Sequence, residues 1–324
     1  MAATAAALRA AHKALVVAAA KNGRAIPCDV DTTAFLLANP RGAYTSARTV
    51  EQTRVFDYEG HLKRLVDSTI AMHQQAGDAT QLSPQQVDQE LRPRTEATLR
   101  AAMAQFKQQF GKEPHEEYKI TVLVCQDDEV AKVNAASAEL LAATNVYCHI
   151  GLLPPLRSNL VKLHVAGIPR HNASAKDSGW VRERKVIYDA LPKDVEEIIL
   201  MEPDTHRLLE GSQTNFYAMQ HGTIYTADEG ILKGTVRGLV LEVCEELGIP
   251  VVLEPPTLDT VNAWEGCFIS STSRLVLGAG SLEFDALDTG KRVTRTFERS
   301  TILDRLAESV KTSVLRKSSE VFTQ

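Results

Sequence analysis

The stretch LLEGSQTNFYAMQHGTIYTADEGILKGTVRGLVLEVCEELG, residues 208–248, decides how the rest of this sequence is interpreted. Its first part places a carboxylate, Glu210, just before an apolar run that we predict to be a strand. Its second part predicts a helix over residues 235–247, directly after Gly234. The first amide groups of a helix lack partners within the helix and carry a partial positive charge, so they bind phosphate readily. The stretch therefore predicts an acid and an anion-binding site close together in the sequence.

Length and composition predict a protein of two domains. A chain of 324 residues exceeds the usual size of one domain, which is about 100–200 residues. The net charge of -5 argues against a nucleic-acid-binding surface and against a basic membrane-binding surface. No apolar run approaches the roughly 18 residues that a membrane-spanning helix needs. We therefore expect neither nucleic acid nor a membrane among the partners.

Cysteine and histidine positions predict neither a disulfide framework nor a metal site. The five cysteines are scattered and form no Cys-x-x-Cys pair, which favours a reducing, cytoplasmic location. His61 has no second histidine at ligand spacing, and the remaining histidines are dispersed along the chain.

The N-terminal residues allow two interpretations. The first 20 residues are rich in alanine and contain basic residues but no acid. Because alanine has the highest helix propensity, we predict a helix over residues 3–21 and treat residues 1–30 as a candidate helical extension. A basic, acid-poor segment is also typical of an organelle transit peptide, which is the alternative interpretation of residues 1–20.

Hydrophobic periodicity predicts helices and strands in both halves of the chain, with a looser stretch between residues 125 and 160. Ser83 is expected to cap a helix that Pro84 begins. Besides residues 235–247, the predicted helices are 59–75 and 84–110. The predicted strands are 43–49, 118–125, 160–167, 197–201, 213–219, 223–225, 251–254, 267–271 and 273–277.

The polar segment 168–178 predicts a boundary between two domains. The N-terminal domain would comprise residues 1–167, and residues 168–178 would form an interdomain loop. The C-terminal domain, residues 179–324, would contain both the acid and the anion-binding helix.

Two further features fit the chemistry of residues 208–248. Residues 270–274, Ser-Ser-Thr-Ser-Arg, place four hydroxyls and a cation at the end of a predicted strand; simple turn formation is the alternative. Lys176 lies upstream of Glu210, and most lysines are solvated surface groups. A lysine that forms a Schiff base, an acid facing a ring nitrogen and a phosphate site are together what pyridoxal phosphate requires.

Short motifs along the chain resemble those of the class IV aminotransferases, which are fold-type IV pyridoxal phosphate enzymes. That family includes branched-chain aminotransferases, D-amino acid aminotransferases and aminodeoxychorismate lyases. The resemblance covers residues 42 to 282. Its motifs are GAYTSAR (42–48), HLKRL (61–65), AKD (175–177), EGSQTNF (210–216), LKGTVR (232–237) and FISST (268–272). It implies an α+β fold with a small N-terminal α/β domain, a larger barrel-like C-terminal domain, a cofactor between them and a homodimer.

The resemblance also implies roles for individual residues. Lys176 matches the lysine that binds the cofactor covalently and then moves a proton between cofactor and substrate. Glu210 matches the acid that pairs with the pyridine nitrogen. The phosphate would be bound by Arg64, Thr235, Val236 and Thr272.

The chain also departs from the family pattern. Lys233 stands where a proline or small turn residue is usual, and Val181 stands where an aromatic residue often follows the lysine. Trp180, one position earlier, could replace that aromatic side chain. The arginine-bearing loop with which branched-chain enzymes bind a substrate carboxylate is not found in the sequence.

The residues that would contact the substrate are therefore candidates only: Tyr44, Thr45, Arg48, Trp180 and Arg274, with Arg41 as a further arginine. The favoured function is transfer of an amino group between an amino acid or amine and a 2-oxo acid. The motif Tyr44–Arg48 also resembles that of the lyases, which makes β-elimination from 4-amino-4-deoxychorismate the alternative. A homologue that binds the cofactor without catalysis is the alternative of another class.

Overall fold

The computed structural model describes residues 16–75, 82–111, 116–126 and 141–322. Its helices are α1 (Thr32–Ala38), α2 (Tyr58–Gln75), α3 (Pro84–Phe110), α4 (Gly179–Asp189), α5 (Thr235–Leu247) and α6 (Thr301–Arg316), with a 3-10 helix at Leu258–Ala263. Its strands are β1 (Val17–Lys21), β2 (Arg24–Ile26), β3 (Gly42–Val50), β4 (Arg54–Phe56), β5 (Tyr118–Gln126), β6 (Thr144–Leu152), β7 (Val161–Val165), β8 (Val195–Met201), β9 (Leu208–Gly211), β10 (Asn215–Gln220), β11 (Thr223–Tyr225), β12 (Val251–Val252), β13 (Gly266–Ser271), β14 (Leu275–Asp285), β15 (Arg292–Thr296) and β16 (Ser318–Glu320).

The chain divides into two compact units. The first contains the described residues up to Pro155, together with Ala175–Arg182 and the end of the chain from Lys317. The second contains Leu156–Ser174 and Glu183–Arg316. This division differs from the sequence-based one, in which residues 168–178 form a loop between residues 1–167 and 179–324. Three pairings account for the difference. Asp177 pairs with Ala43 of β3 and β16 pairs with β4, which returns both segments to the first unit. β7, within the predicted N-terminal domain, pairs with β8 and β14 and so belongs to the second unit.

The first unit is an antiparallel sheet covered on one face by α2 and α3. Among the described residues, its strand order is β16-β4-β3-β5-β6-β1-β2. Alternate residues of β3, β5 and β6 point toward the two helices and form the main hydrophobic core, which includes Ala43, Ile120, Val146, Leu65 and Phe106. The opposite face of the same strands carries the polar residues described below.

The start of α3 agrees with the prediction from the sequence. The Ser83 hydroxyl accepts a hydrogen bond from the amide of Gln86 at 3.2 Å, and the Gln86 side chain accepts one from the Ser83 amide at 3.4 Å. With Pro84 in the first turn, this capping box satisfies two amide groups that a helix leaves unpaired.

The second unit is built on a sheet that closes on itself. Its strands follow the order β12-β11-β10-β13-β14-β7-β8-β9, and β9 pairs again with β10 through Glu210 and Asn215. Six strands, β7 to β10 with β13 and β14, therefore form a closed barrel, as the family resemblance implied for this half. The barrel is filled by apolar side chains, among them Leu163, Phe216 and Ile269, which are fully buried. The two sheets and their helices confirm the predicted α+β fold.

The N-terminal prediction was wrong where it can be compared with the structure. Residues 17–21, which were predicted to be helical, form β1, and β2 follows within the candidate extension 1–30. Alanines 18–20 pair with β6 on one side, and Ala19 and Ala20 also pair with β2 on the other, so tertiary pairing overrides their helix propensity. Residues 1–15, and with them most of the candidate transit peptide, lie outside the described residues.

Other elements have no clear sequence signal. The stretch between residues 125 and 160 contains β6, which lies between β5 and β1 in the sheet. The predicted strand 273–277 is the start of the longer β14. The helices α1, α4 and α6 and the short strands β2, β4, β9, β15 and β16 were not predicted. Within the described residues, no helix is both long and apolar enough to cross a membrane.

Replacement of Gly42 tests the close packing of β3 against β5. A Cβ atom at this position would lie 2.1 Å from the Val124 carbonyl oxygen, so we expect Gly42→Ala to destabilise the protein by about 1–3 kcal/mol. Gly238, in the exposed middle of α5, has open space around its Cβ position, and Gly238→Ala should stabilise by about 0.5–1 kcal/mol. Urea unfolding of both variants measures whether the free energy of unfolding falls in Gly42→Ala and rises in Gly238→Ala. Equal changes in the two variants would contradict the packing described for Gly42.

Candidate active site

The segment around Lys176 is bound to β3 in the first unit. The Tyr44 amide donates a hydrogen bond to the Lys176 carbonyl at 2.9 Å, and the Ser178 amide donates to the Gly42 carbonyl at 2.9 Å. The Lys176 amide in turn donates to the Ser68 hydroxyl of α2 at 3.1 Å. The backbone of Lys176 is therefore fixed through both its amide and its carbonyl.

The Lys176 amine lies over an aromatic ring. Its Nζ atom is 4.9 Å from the centre of the Tyr44 ring, a distance at which an ammonium is attracted to the face of the ring. Tyr44 belongs to a buried apolar cluster that also contains Leu123 and Val181. Val181, the residue that departs from the family pattern, thus packs beside the tyrosine that Lys176 contacts.

His61 and Arg64 project from α2 in the same unit. The Nδ1 atom of buried His61 is 2.8 Å from the Thr45 hydroxyl, and its Nε2 atom has no hydrogen-bond partner among the described residues. Burial lowers the pKa of His61 well below its usual value, and the cations Arg64 and Lys176 lower it further. Thr45, a predicted substrate residue, is thus bound to His61.

Burial also affects Arg64, which the sequence assigned to the cofactor phosphate. It lowers the pKa of Arg64 to about 10, against the opposing effect of Asp57, Tyr44 and Asp67. A guanidinium that has lost much of its hydration gains from contact with an anion, because a charge-assisted hydrogen bond replaces the lost water.

Arg41 is bound to the residue that follows Lys176. Its Nε atom is 3.0 Å from each carboxylate oxygen of Asp177, and its Nη2 atom also donates to this carboxylate. The sequence offered Arg41 as a candidate for a substrate carboxylate. The structure pairs it with a carboxylate of the protein instead.

The predicted substrate residues Tyr44 and Arg48 lie on one face of β3. Successive side chains of a strand alternate, so Tyr44, Ser46 and Arg48 share a face, whereas Thr45 points toward His61 on the other. Arg48 is directly opposite Lys119 of β5. Arg48 is 7% exposed, and burial lowers its pKa, while Glu117 acts in the opposite direction.

The same face continues with hydroxyl groups. Ser46 is opposite Thr121 in the sheet, and their hydroxyl oxygens are 3.0 Å apart. A row of hydroxyls thus lies along the sheet between Tyr44, which contacts the Lys176 amine, and the two cations Arg48 and Lys119.

Glu210, in the second unit, is a buried acid with two different partners. One carboxylate oxygen accepts hydrogen bonds from Arg170, at 2.9 Å from Nε and 2.5 Å from Nη2. The other oxygen accepts one from the Leu232 amide at 3.1 Å. Sequence reasoning missed Arg170 because it lies in the polar segment 168–178, which was interpreted only as a loop. An arginine placed shortly before the lysine of a pyridoxal phosphate motif was the available signal.

Asn215 joins the turn after Glu210 to the start of α5. Its side-chain amide donates to the Leu232 carbonyl at 2.8 Å, and its side-chain oxygen accepts from the Gly234 amide at 3.2 Å. A Cβ atom on Gly234 would lie 2.3 Å from that oxygen, so glycine is required at this position. The acid and the helix N-terminus are therefore held in one hydrogen-bonded frame.

Two hydroxyls meet at the N-terminus of α5. The Oγ1 atoms of Thr235 and Thr272 are 3.5 Å apart, and Val236, the next residue of the helix, is buried. Gly234 caps the helix without a side-chain hydrogen bond. The structure thus brings together three of the four residues predicted to bind phosphate. The fourth, Arg64, belongs to the other unit.

The unusual Lys233 has a partner within its own loop. Its amine donates to the Asp228 carboxylate at 2.7 Å, and buried Arg237 donates to the same carboxylate at 2.9 Å. The hydrogen bond from Lys233 is the main reason that the pKa of Asp228 is lowered. An ion pair thus fixes the loop at the position where the family pattern has a proline.

The remaining candidates have structural partners. Arg274 donates to Glu196 at 2.8 Å, an interaction of the second unit. Trp180, in the first turn of α4, is partly buried, and its amide donates to the Asp177 carbonyl at 3.2 Å. Within the described part of the chain, no three His, Cys, Asp or Glu side chains lie close enough to bind a metal ion together.

Comparison with known proteins places these motifs in a family. The family model for amino-transferase class IV matches residues 42–282. A probable branched-chain-amino-acid aminotransferase of Rickettsia felis (strain ATCC VR-1525 / URRWXCal2) is 25% identical over 176 residues, which cover 47% of this chain and 58% of that protein. The chain thus spans less than two thirds of the length of the curated relatives it matches.

Two solved structures show the fold. The branched-chain aminotransferase of the archaeon Thermoproteus uzoniensis, with norvaline, superposes with a TM-score of 0.65; it is 19% identical, and the match covers 94% of this chain and 99% of that one. A hypothetical aminotransferase from Mycobacterium tuberculosis, in its PLP-bound form, superposes with a TM-score of 0.64; it is 15% identical, and the match covers 93% and 99% of the two chains. The chain therefore has the fold of these aminotransferases.

The buried, neutral His61 should make stability depend on pH. Because its pKa in the folded protein lies below the ordinary value of 6.5, the unfolded chain binds a proton that the folded chain does not as the pH falls below 6.5. The free energy of unfolding should therefore fall with pH in this window, and less steeply in His61→Asn. Urea unfolding at a series of pH values measures both slopes. His171→Asn, at an exposed histidine, serves as the control; an unchanged slope in His61→Asn would contradict the expectation.

Proposed function

Because the chain belongs to the class IV amino-transferases, we propose that it is a pyridoxal-phosphate-dependent aminotransferase. It would transfer an amino group between an amino acid or amine and a 2-oxo acid. One observation carries the proposal: Asn215 holds the buried Glu210 turn and the N-terminus of α5 in a single frame. An acid for a ring nitrogen and a binding site for a phosphate are thereby fixed relative to each other.

The side chains present fit this cofactor. The N-terminus of α5 offers unpaired amides and the hydroxyls of Thr235 and Thr272, which suit a dianion. Glu210 is buried and charge-paired with Arg170, so it is available as a carboxylate toward a protonated ring nitrogen. Arg64, which is partly buried, is proposed as the cation for the phosphate. The Mycobacterium tuberculosis aminotransferase of the same fold, solved in a PLP-bound form, supports the choice of cofactor.

Pyridoxal phosphate, when bound, supplies the aldehyde and the electron-accepting ring. Lys176 is proposed to bind it and then to move the proton at the substrate carbon through its ε-amine. The fixed amide and carbonyl of Lys176 restrict the positions that this amine can reach. Tyr44, against which the amine lies, helps to keep water from it.

We infer that Arg48 and Lys119 bind a second carboxylate of the substrate. They are neighbours on the face of the sheet that also presents Tyr44, and the hydroxyls of Ser46 and Thr121 lie between. Strand residues rise by about 3.4 Å each, so Arg48 lies about 13 Å along β3 from Tyr44, and its own side chain spans part of that distance. A substrate of glutamate size fits this spacing, whereas Arg41 and Arg274 bind protein carboxylates.

A homodimer and a cytoplasmic location remain parts of the proposal. The family resemblance supports the dimer, which light scattering would measure. The cytoplasmic location is supported by five cysteines that are all free thiols.

Replacement of Lys176 tests the proposed function. Lys176→Ala should lose the visible absorbance of lysine-bound pyridoxal phosphate and slow amino transfer by roughly 10³-fold or more. Lys185→Ala, at an exposed lysine paired with Asp189, should retain both. A panel of amino donors and 2-oxo acceptors, followed by absorbance and product analysis, measures the reaction. Pyruvate release from 4-amino-4-deoxychorismate without an acceptor would indicate the lyase instead, and bound cofactor without any reaction would indicate a non-catalytic protein.

Replacement of Arg48 tests the substrate proposal. Arg48→Met should lower kcat/KM for glutamate by about 10- to 100-fold, because a charge-assisted hydrogen bond is lost. With a donor that has one carboxylate, such as alanine, the change should remain within about 3-fold. Arg24→Met, at an exposed arginine of β2, is the matched control. Equal losses with both donors, at an unchanged melting temperature, would contradict the assignment.

A further inference from the structure

We propose that Asp177 and Arg41 are positioning residues, which hold the Lys176 segment on β3 and, as an ion pair, add no net charge to that segment. This inference rests on the proposed role of Lys176. It concerns a pair of side chains that lie next to the lysine in the structure and whose partnership no sequence motif indicates.

The carboxylate of Asp177 is almost fully engaged. Both of its oxygens are 3.0 Å from Arg41 Nε, Arg41 Nη2 adds a further hydrogen bond, and Oδ1 accepts one from the Gly179 amide at 2.8 Å. The side chain of Asp177 is 8% exposed, whereas that of Arg41 is 59% exposed. A buried carboxylate thus depends on a largely solvated cation for its neutralisation.

The backbone makes the pair a support for Lys176. Asp177 bridges to Ala43, and the hydrogen bonds of Lys176 and Ser178 to β3 flank this bridge. Successive residues of an extended segment point to opposite sides, so the Asp177 carboxylate anchors the side away from the Lys176 amine. Movement of Asp177 would therefore move the lysine with it.

The surroundings of Gly179 give independent support for the ion pair between Arg41 and Asp177. A Cβ atom on this residue would lie 2.9 Å from Arg41 Nε and 3.1 Å from Asp177 Oδ1. A side chain at this position would therefore have to displace the guanidinium from its place beside the carboxylate. The start of α4 is thus shaped around this ion pair.

The pair also sets the charge near the lysine. Among the described residues, the titratable groups near Lys176 include Tyr44 on β3, and neutral His61 and cationic Arg64 on α2. Together, Asp177 and Arg41 add no net charge to this set. Loss of Arg41 would leave an uncompensated buried carboxylate, and loss of Asp177 would leave an exposed guanidinium that water screens well.

The two single variants should therefore act in opposite directions on the lysine-bound cofactor. In the protein reconstituted with pyridoxal phosphate, Arg41→Met should raise the pKa of the lysine–cofactor imine by about 0.5–1, because a negative charge stabilises its protonated form. Asp177→Asn should lower this pKa by a smaller amount, because solvent screens Arg41. The double variant Arg41→Met/Asp177→Asn should return it to within about 0.2 of the original value. Visible absorbance spectra recorded over a series of pH values measure the pKa of the imine in all three variants.

The outcomes separate this inference from the proposed function. If the unaltered protein shows no visible band with pyridoxal phosphate, the proposed function fails. If the band forms but its pKa is unchanged in the single variants, or shifts in the same direction in both, the positioning role is overturned. Melting temperatures identify variants that fail to fold, and Arg41→Lys, which keeps the charge, should then restore the pKa. If Arg41→Lys does not restore the pKa, the inference is also overturned.

Discussion

The pairing of Glu210 with Asn215 is the constraint on which the second unit depends. This single antiparallel bridge between β9 and β10 closes the barrel. The same two residues carry the polar side chains of the candidate site: Glu210 accepts a hydrogen bond from the Leu232 amide, and Asn215 binds the Leu232 carbonyl and the Gly234 amide. The residues that close the sheet therefore also hold the acid beside the segment that leads into α5.

A buried acid in this position needs a buried cation. Arg170 and Glu210 are both nearly inaccessible, and such a pair contributes little net stability because each ion has lost its hydration. Removal of either partner alone typically costs about 3–5 kcal/mol, because the other charge is left unpaired. The pair is thus better explained by the position in which it holds the Glu210 carboxylate than by a contribution to stability. This requirement turns part of the polar segment 168–178 into a component of the site.

The sequence predicted those helices and strands that local hydrophobic periodicity and capping motifs determine. The bounds of α2, α3, α5 and β3 agree with the structure, since their apolar patterns and caps are local properties. It failed for β1, whose alanines favour a helix until β2 and β6 pair with them. It also missed the partnerships of Arg170 with Glu210 and of Arg41 with Asp177, which join residues 40 and 136 positions apart. Long-range ion pairs leave no period in a sequence, so only their separate members can be noticed.

The residues of the site are positioned chiefly through their backbones. Ser68 accepts from the Lys176 amide, Glu210 from the Leu232 amide, and Asn215 from the Gly234 amide. Each of these acceptors is an ordinary polar side chain, and none can be changed without freeing the backbone that it holds. The candidate substrate residues are different, because Arg48 and Lys119 are side chains on regular strands whose pairing does not depend on their identity. Within one fold, the residues proposed to bind the cofactor are therefore constrained together, whereas those proposed to bind the substrate can vary without loss of strand pairing.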